Sequence, residues 1–252
     1  MASLVHVFPT CLMETFRPQA IEAVERVLQR AGVTPHRLQR ATCCGQPAFN
    51  AGDWAAARRM ARHTIEALEA HPGPIVVPSG SCTAMFRQHY PHLFAEDPDW
   101  LPRAQALARR TYEFTEYLVE GLGVTDLRAA FPHRVAYHPS CHLLRGLGVD
   151  RQPRALLARV RGLTMVDFPD AEACCGFGGV FSAEQPEIAQ AMLNRKVKHL
   201  LSAAPEVVVA ADLGCLLHLQ AGLRQRQANV PVLHIAEVLA SSDEVPLRKE
   251  AP

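Results

Sequence analysis

The tripeptide Cys43-Cys44-Gly45 occurs a second time in this chain, as Cys174-Cys175-Gly176. Each copy stands between two further cysteines. The chain therefore carries its eight cysteines as two sets of four, which are Cys11, Cys43, Cys44 and Cys82 in the first and Cys141, Cys174, Cys175 and Cys215 in the second. The second set follows the first at an offset of 130 to 133 residues. Self-similarity at a fixed spacing indicates an internal repeat.

Segments without a vicinal pair repeat as well. Phe8-Pro9-Thr10-Cys11 matches His138-Pro139-Ser140-Cys141, and residues 114–118 match residues 235–239. We therefore predict a first repeat over residues 1–125 and a second over residues 126–240. Residues 241–252 are charged, contain proline and lack apolar periodicity, so they are predicted to form a mobile tail.

The hydrophobic pattern alternates between short apolar runs and longer amphipathic ones. The short runs predict strands near residues 4–8, 74–78, 134–137, 163–167 and 207–211. The amphipathic runs predict helices near residues 18–31, 53–70, 154–160, 183–201 and 216–224. Alternating strands and helices predict an α/β fold. It consists of two tandem pseudo-symmetric repeats, each a small parallel sheet with flanking helices and cysteine turns at the carboxyl ends of its strands.

Composition excludes several classes of protein. The 252 residues carry a net charge of +1, with 48% hydrophobic and 20% charged residues, which is unlike a disordered chain or a nucleic-acid-binding surface. No apolar run is long enough to cross a membrane, and the amino terminus lacks the pattern of a secretory signal. We therefore expect a cytoplasmic protein. In that reducing compartment cysteines serve metal or redox chemistry more often than disulfides.

Four thiols gathered at the strand ends of each repeat indicate a metal or cluster site. Buried packing does not explain eight matched positions, and a redox-active thiol pair leaves Cys11 and Cys82 without a role. Zinc accepts four thiolates, but its structural sites use closely spaced cysteine pairs. Thiolates from distant turns favour an iron–sulfur cluster, and we predict the [4Fe–4S] form. The number of clusters, one or two per chain, stays open. Gly45 and Gly176 would let the backbone approach such a centre closely.

Several polar neighbours remain ambiguous from sequence. Asp212 could supply an oxygen ligand, but aspartate is also favoured as the N-cap of a helix beginning near Leu213, which we prefer. Ser79 has the same ambiguity. His138, His142 and His218 stand close to cysteines in the sequence, where a ring nitrogen could donate a hydrogen bond to a cluster sulfur.

The arrangement of a cysteine, Cys-Cys-Gly and a further cysteine, all duplicated, resembles the cysteine-rich CCG family. Its members include the cysteine-rich subunit of heterodisulfide reductase, the iron–sulfur subunit of glycolate oxidase and the lactate utilization protein A group. The last group is the most similar, because it is a stand-alone pair of such units with turns like residues 77–83 and 211–216. One departure is that the heterodisulfide reductase relative has Cys-x-x-Cys at the last station, where this chain has Ser79 and Asp212 at the first position.

The resemblance implies an iron–sulfur electron-transfer subunit of a cytoplasmic oxidoreductase complex that oxidises L-lactate to pyruvate. It implies two partners, a ferredoxin-like iron–sulfur subunit and a further lactate-utilization subunit, and a chain that is inactive without them. All eight cysteines would be metal ligands. Two alternatives stay open. One is a structural assembly module that holds zinc or a cluster, and the other is a CCG subunit of a glycolate oxidase or heterodisulfide reductase type of enzyme.

Overall fold

A computed structural model of the protein describes residues 3–39 and 42–242. These residues form two four-stranded parallel sheets with the same strand order, one in each half of the chain. Helices connect the strands and flank both sheets. The predicted α/β fold with two repeat-like halves is thus confirmed.

The first sheet has the order β2-β1-β3-β4. Its strands are β1 (Leu4–Val7), β2 (Thr34–Arg37), β3 (Ile75–Val77) and β4 (Thr111–Glu113). The helices of this half are α1 (Cys11–Phe16), α2 (Pro18–Arg30), α3 (Gln46–Asn50), α4 (Trp54–Glu69), α5 (Gly80–Ala84), α6 (Tyr90–Leu93), α7 (Leu101–Arg109) and α8 (Phe114–Glu116). Two π-helical turns, Met85–His89 and Tyr117–Gly121, continue α5 and α8.

The second sheet has the equivalent order β6-β5-β7-β8. Its strands are β5 (Arg134–His138), β6 (Thr164–Met165), β7 (Val207–Ala210) and β8 (Val232–His234). The helices are α9 (Arg151–Leu157), α10 (Phe181–Glu184), α11 (Pro186–Ser202), α12 (Leu213–Gln225) and α13 (Ile235–Leu239). A π-helical turn, His142–Leu147, follows Cys141 directly.

The strands and helices predicted from periodicity are all present, with ends that shift by a few residues. Sequence reasoning missed β2, β4 and β8. The segment that forms β2, Thr34-Pro35-His36-Arg37, is polar and contains a proline, which is typical of an edge strand and gives no apolar signal. The central strands β3 and β7 are buried along their whole length, so their continuous apolar runs are easier to recognise.

Of the two hydrophobic core clusters among the described residues, one spans both halves and the other lies in the first half. Buried residues of α2, such as Val24 and Val27, belong to the same cluster as Val135 of β5 and Val238 of α13. The α2 and α13 helices also pack against each other. At their ends the Arg30 guanidinium donates hydrogen bonds to the carbonyls of Leu127, Leu239 and Ala240. The halves are therefore packed into a single unit.

The carboxyl-terminal end of the described chain remains packed. Ser241, the first residue of the predicted tail, is buried, and its hydroxyl donates to the carbonyls of Ala130 and Val238. The rest of that tail, from residue 243 onward, lies outside the described residues. Among the helices of residues 3–39 and 42–242, none is long and apolar enough to cross a membrane.

The glycine after each vicinal cysteine pair has a positive φ, +86° at Gly45 and +94° at Gly176. A Cβ at Gly176 would lie 2.7 Å from the Ala189 carbonyl oxygen and 3.1 Å from Met192 Cβ, both in α11. A Cβ at Gly45 would meet Met60 of α4 at 3.3 Å. Both glycines therefore let the cysteine turn pack against the long helix of its own half.

We expect Gly176→Ala to destabilise the protein more than Gly148→Ala does. Both place a Cβ on a left-handed backbone, which costs about 1 kcal/mol, but the Gly148 site has no atom within 4 Å of the new Cβ. Overlap with α11 should raise the loss at Gly176 to at least about 2 kcal/mol. Urea unfolding of the reduced, metal-free variants measures both losses. Equal losses would contradict the packing role of Gly176.

Candidate metal centre

Each set of four thiols is assembled by three turns at the carboxyl edge of its sheet. In the first half Cys11 begins α1 after β1, the Cys43-Cys44 pair precedes α3, and Cys82 lies in α5 after β3. In the second half Cys141, Cys174-Cys175 and Cys215 occupy the equivalent turns after β5, before α10 and after β7. Because parallel strands end at the same sheet edge, residues far apart in sequence are brought together.

The thiols contact one another within each set. Cys44 Sγ lies 3.3 Å from Cys82 Sγ, and Cys175 Sγ lies 3.2 Å from Cys215 Sγ. Cys43 sits between Cys11 and Cys44, whose hydrogen bonds to its thiolate lower the Cys43 pKa. Cys141 and Cys175 lower the pKa of Cys174 in the same way. The first cysteine of each vicinal pair is thus favoured as a thiolate, the form that binds metal.

Both sets open onto one cavity of about 280 Å³. All eight cysteines line it, together with Gln46 and Pro47 from the first half and the loop from Phe177 to Val180 from the second. Cys44, Cys82, Cys175 and Cys215 are buried, and the other four cysteines are partly exposed. The cavity gives room in front of the thiols for an inorganic core.

Asp212 joins the two halves at the floor of this cavity. Its Oδ2 accepts hydrogen bonds from the Ser81 backbone N–H at 2.8 Å and from the Ser79 hydroxyl at 3.3 Å. The residue does occupy the N-cap position of α12, as the sequence suggests, but its side chain makes no capping bond to that helix. It caps α5 of the other half instead. Ser79 and Asp212 thus bind each other across the repeat interface.

His142 links the second cysteine set to the first half. Gln46 Nε2 can only donate, so His142 Nε2 accepts its hydrogen bond at 3.2 Å. In the neutral ring the proton then sits on Nδ1, which faces Cys141 Sγ at 3.8 Å. His142 therefore presents an N–H to a thiol, as sequence proximity suggested.

His138 and His218 differ in their positions. His138 is fully buried, its ligating atoms lie within 4.8 Å of the Cys175 and Cys215 sulfurs, and burial lowers its pKa to about 3. His218 does not line the cavity and packs edge-on against Phe177. Of these two histidines, His138 is the one beside the thiols.

Lys196 is a residue that sequence reasoning missed. It is 2% exposed, and its ammonium group donates to the carbonyls of Asp170 and Ala171, in the loop that leads to the second cysteine pair. Burial lowers its pKa to about 8, and the thiolates of Cys175, Cys215 and Cys174 oppose that shift. A signal was present, because Lys196 falls on the buried face of α11 with Ala189, Leu193 and Leu200.

The first half has uncharged residues at the positions of His138 and Lys196. Phe8 matches His138 in the repeated segment before the first cysteine. Gly45 approaches Ala57 and Met60 in α4, and Gly176 approaches Ala189 and Met192 in α11. Superposing these matching contacts aligns Thr64 of α4 with Lys196 of α11. Both Phe8 and Thr64 are buried. The two thiol sets therefore have matching cysteines but different electrostatic surroundings.

The arrangement has the chemistry of a soft metal centre. Four thiols per half, a neutral buried imidazole and a buried cation suit an anionic thiolate-bound metal or cluster. His138 supports this fit, because both of its ring nitrogens are buried and, apart from a weak contact with the Ala171 backbone carbonyl, neither has a hydrogen-bond partner among the described residues. Buried polar atoms without partners often mark a ligand site.

Comparisons with known proteins agree with this arrangement. The pattern of the cysteine-rich domain (CCG) matches residues 5–87 and again residues 135–220. Lactate utilization protein A of Exiguobacterium sp. is 43% identical over 236 residues, which cover 93% of this chain and 96% of that protein. Lactate utilization protein A of Bacillus cereus is 43% identical over 237 residues, with coverages of 94% and 98%.

Among solved structures, a hypothetical protein from Helicobacter pylori superposes with a TM-score of 0.62 at 12% identity, covering 94% of this chain and 48% of that one. At this identity the likeness supports the fold alone. The two matched cysteine-rich segments and the relatives of nearly equal length carry the assignment. The chain belongs to the cysteine-rich CCG domain family and, within it, to the lactate utilization protein A group.

Proposed function

We propose that the chain is the iron–sulfur electron-transfer subunit of an oxidoreductase complex that acts in lactate utilization. The observation that carries the proposal is the convergence of two four-thiol sets on one cavity. Cys11, Cys43, Cys44 and Cys82 would ligate one centre, and Cys141, Cys174, Cys175 and Cys215 the other. Such a centre supplies one-electron transfer when it is bound. The role in lactate utilization rests on the names of the relatives.

The chemistry that we propose for the complex is oxidation of L-lactate to pyruvate, which releases two electrons and two protons. The thiol sets of this chain would pass the electrons on one at a time, and partner subunits would supply the remaining steps. A ferredoxin-like iron–sulfur subunit and a further lactate-utilization subunit remain part of the proposal, as does a cytoplasmic location. The residues of this chain bind the centres, exclude water and set the local charge.

A second candidate, a structural zinc module, is favoured by the sulfur spacing. With Zn–S bonds of 2.3 Å, the sulfurs of a tetrahedral zinc site lie about 3.8 Å apart. The separations of 3.2 and 3.3 Å between Cys175 and Cys215 and between Cys44 and Cys82 are closer to this value than to the wider spacing of thiolates on a four-iron core. Cluster loading would therefore require the two sulfurs of each of these pairs to move apart.

Metal analysis separates these candidates. We expect about four iron and four sulfide per thiol set in protein purified and reconstituted without oxygen, with zinc in trace amounts. Cys44→Ser and Cys175→Ser should each lose the iron of one half, and the double variant should lose nearly all of it. Ser81→Ala, which changes a cavity residue that is not a thiol, serves as the control and should keep full iron content.

Stoichiometric zinc without sulfide would replace the electron-transfer proposal with the structural module.

A growth experiment tests the substrate separately. A deletion strain should lose growth on L-lactate and recover it with the wild-type gene but not with the Cys44→Ser, Cys175→Ser double variant. Normal growth of the deletion strain on L-lactate, with iron content as expected, would leave the centres in place and reject lactate as the substrate.

The buried ammonium group of Lys196 should raise the reduction potential of the second centre, because a nearby positive charge stabilises the more negative, reduced state. We expect Lys196→Met to lower that potential by at least about 50 mV, since 59 mV corresponds to a tenfold change for a one-electron couple. Lys198→Met is the matched control, because Lys198 is exposed on the same helix. Anaerobic redox titration measures both. Equal potentials in the two variants would reject the role of Lys196.

A further inference from the structure

Three histidines converge on the first sheet, apart from the cysteine cavity. His6 of β1 and His36 of β2 are directly paired in the parallel register, so their side chains lie on the same face of the sheet. His71 reaches them from the turn between α4 and β3. The ligating nitrogen atoms of the three rings lie within 4.8 Å of one another. None of the three residues lines the cysteine cavity.

We propose that His6, His36 and His71 form a binding site for a divalent transition-metal ion that prefers nitrogen ligands, of which zinc is the representative. We call these three residues the histidine site. Three imidazoles are a known ligand set for zinc, in which the fourth position is held by water or another small ligand. The site is separate from the proposed electron-transfer function and does not depend on it.

The ring geometry fits a shared ion. The ring centroids form a nearly equilateral triangle, with separations of 5.4 Å for His6 and His36, 5.2 Å for His6 and His71, and 5.5 Å for His36 and His71. In a tetrahedral site with Zn–N bonds of 2.0 to 2.1 Å, ring centroids about 3.2 Å from the metal lie about 5.2 Å apart. The observed separations are thus compatible with three rings around one ion.

The hydrogen bond of His6 orients its ring as a ligand. His6 Nε2 lies 2.9 Å from the Pro72 carbonyl oxygen, so Nε2 carries the proton and donates it. Nδ1 of the neutral ring keeps its lone pair and accepts a hydrogen bond from His36 Nδ1–H at 3.2 Å, a bond that a shared ion would replace. That separation is close to the edge of about 3.3 Å expected between nitrogens on one tetrahedral zinc ion. Metal-bound histidines commonly donate their other N–H to a backbone carbonyl in this way.

Burial and charge around the site are compatible with an accessible ion. His6 is buried, His71 is half-buried and His36 is exposed, so the site has a fixed base and an open side. The Arg110 guanidinium is a nearby positive charge, which lowers the affinity for a cation. It donates to the carbonyls of Leu68, His71 and Gly73, and these bonds hold the turn that carries His71.

Zinc titration tests the proposal. Wild-type protein should bind one more equivalent of Zn²⁺ than the His36→Asn, His71→Asn double variant, as measured by calorimetry on protein prepared identically under anaerobic conditions. His133→Asn is the matched control, because His133 is a partly exposed histidine in the second half, and its stoichiometry should equal that of wild type. Circular dichroism of the variants checks that they fold. Equal stoichiometry in wild type and the double variant would overturn the proposal.

Thiolates also bind zinc, so a cobalt spectrum identifies the ligands. The equivalent of Co²⁺ lost in the double variant should contribute weak visible bands, without the intense near-ultraviolet absorption of a cobalt–thiolate bond. A lost equivalent with thiolate absorption would assign that ion to the cysteines and reject the histidine site. Zn²⁺ at about 100 times its Kd should also raise the Tm of wild type about 5 °C more than that of the double variant. Equal shifts would count against the site.

Discussion

Every thiol of the candidate metal centre depends on a turn beside the carboxyl edge of a parallel sheet. Four cysteines spread over about seventy residues can meet only if the strands that carry them run in the same direction and end at the same edge. This requirement explains the βα alternation of each half. It also explains the tight packing of Gly176 on α11, because the cysteine pair reaches its neighbours only when its turn lies flat against the helix. The sheet, the glycine and the thiols together form one structural unit.

This structural unit occurs twice in the chain, but its two copies are not equivalent. The cysteine positions repeat, but the residues behind them do not, because Phe8 and Thr64 stand where the second half has His138 and Lys196. A buried cation that interacts electrostatically with one thiol set lowers the energy of added negative charge there. The hydrogen bond from the Ser81 backbone N–H to Asp212 joins the two halves at the shared cavity. A structural change at one thiol set therefore occurs close to the other set. The two halves therefore share their cysteine positions but differ in the charged and polar groups around them.

The sequence predicted the repeat, the parallel sheets and the cysteine turns because each produces a local pattern. It did not predict β2, whose polar edge segment has no apolar period, or the true partner of Asp212, which lies 131 residues away. The buried position of Lys196 was visible on the apolar face of α11, but a lysine is normally interpreted as exposed. The histidines at positions 6, 36 and 71 have no common spacing, and only strand register and one turn bring them together.

The packing of α13 on α2 has a consequence for biosynthesis. The apolar face of α2 is made early, but it is covered by a helix that ends at Leu239, and Arg30 bonds to Leu239 and Ala240 carbonyls. While the ribosome is still translating the second half, the nascent first half exposes this face and lacks the Asp212 cap on α5. Its thiols are then open to bulk solvent. The complete cavity in front of the thiols therefore exists only once both halves have folded together.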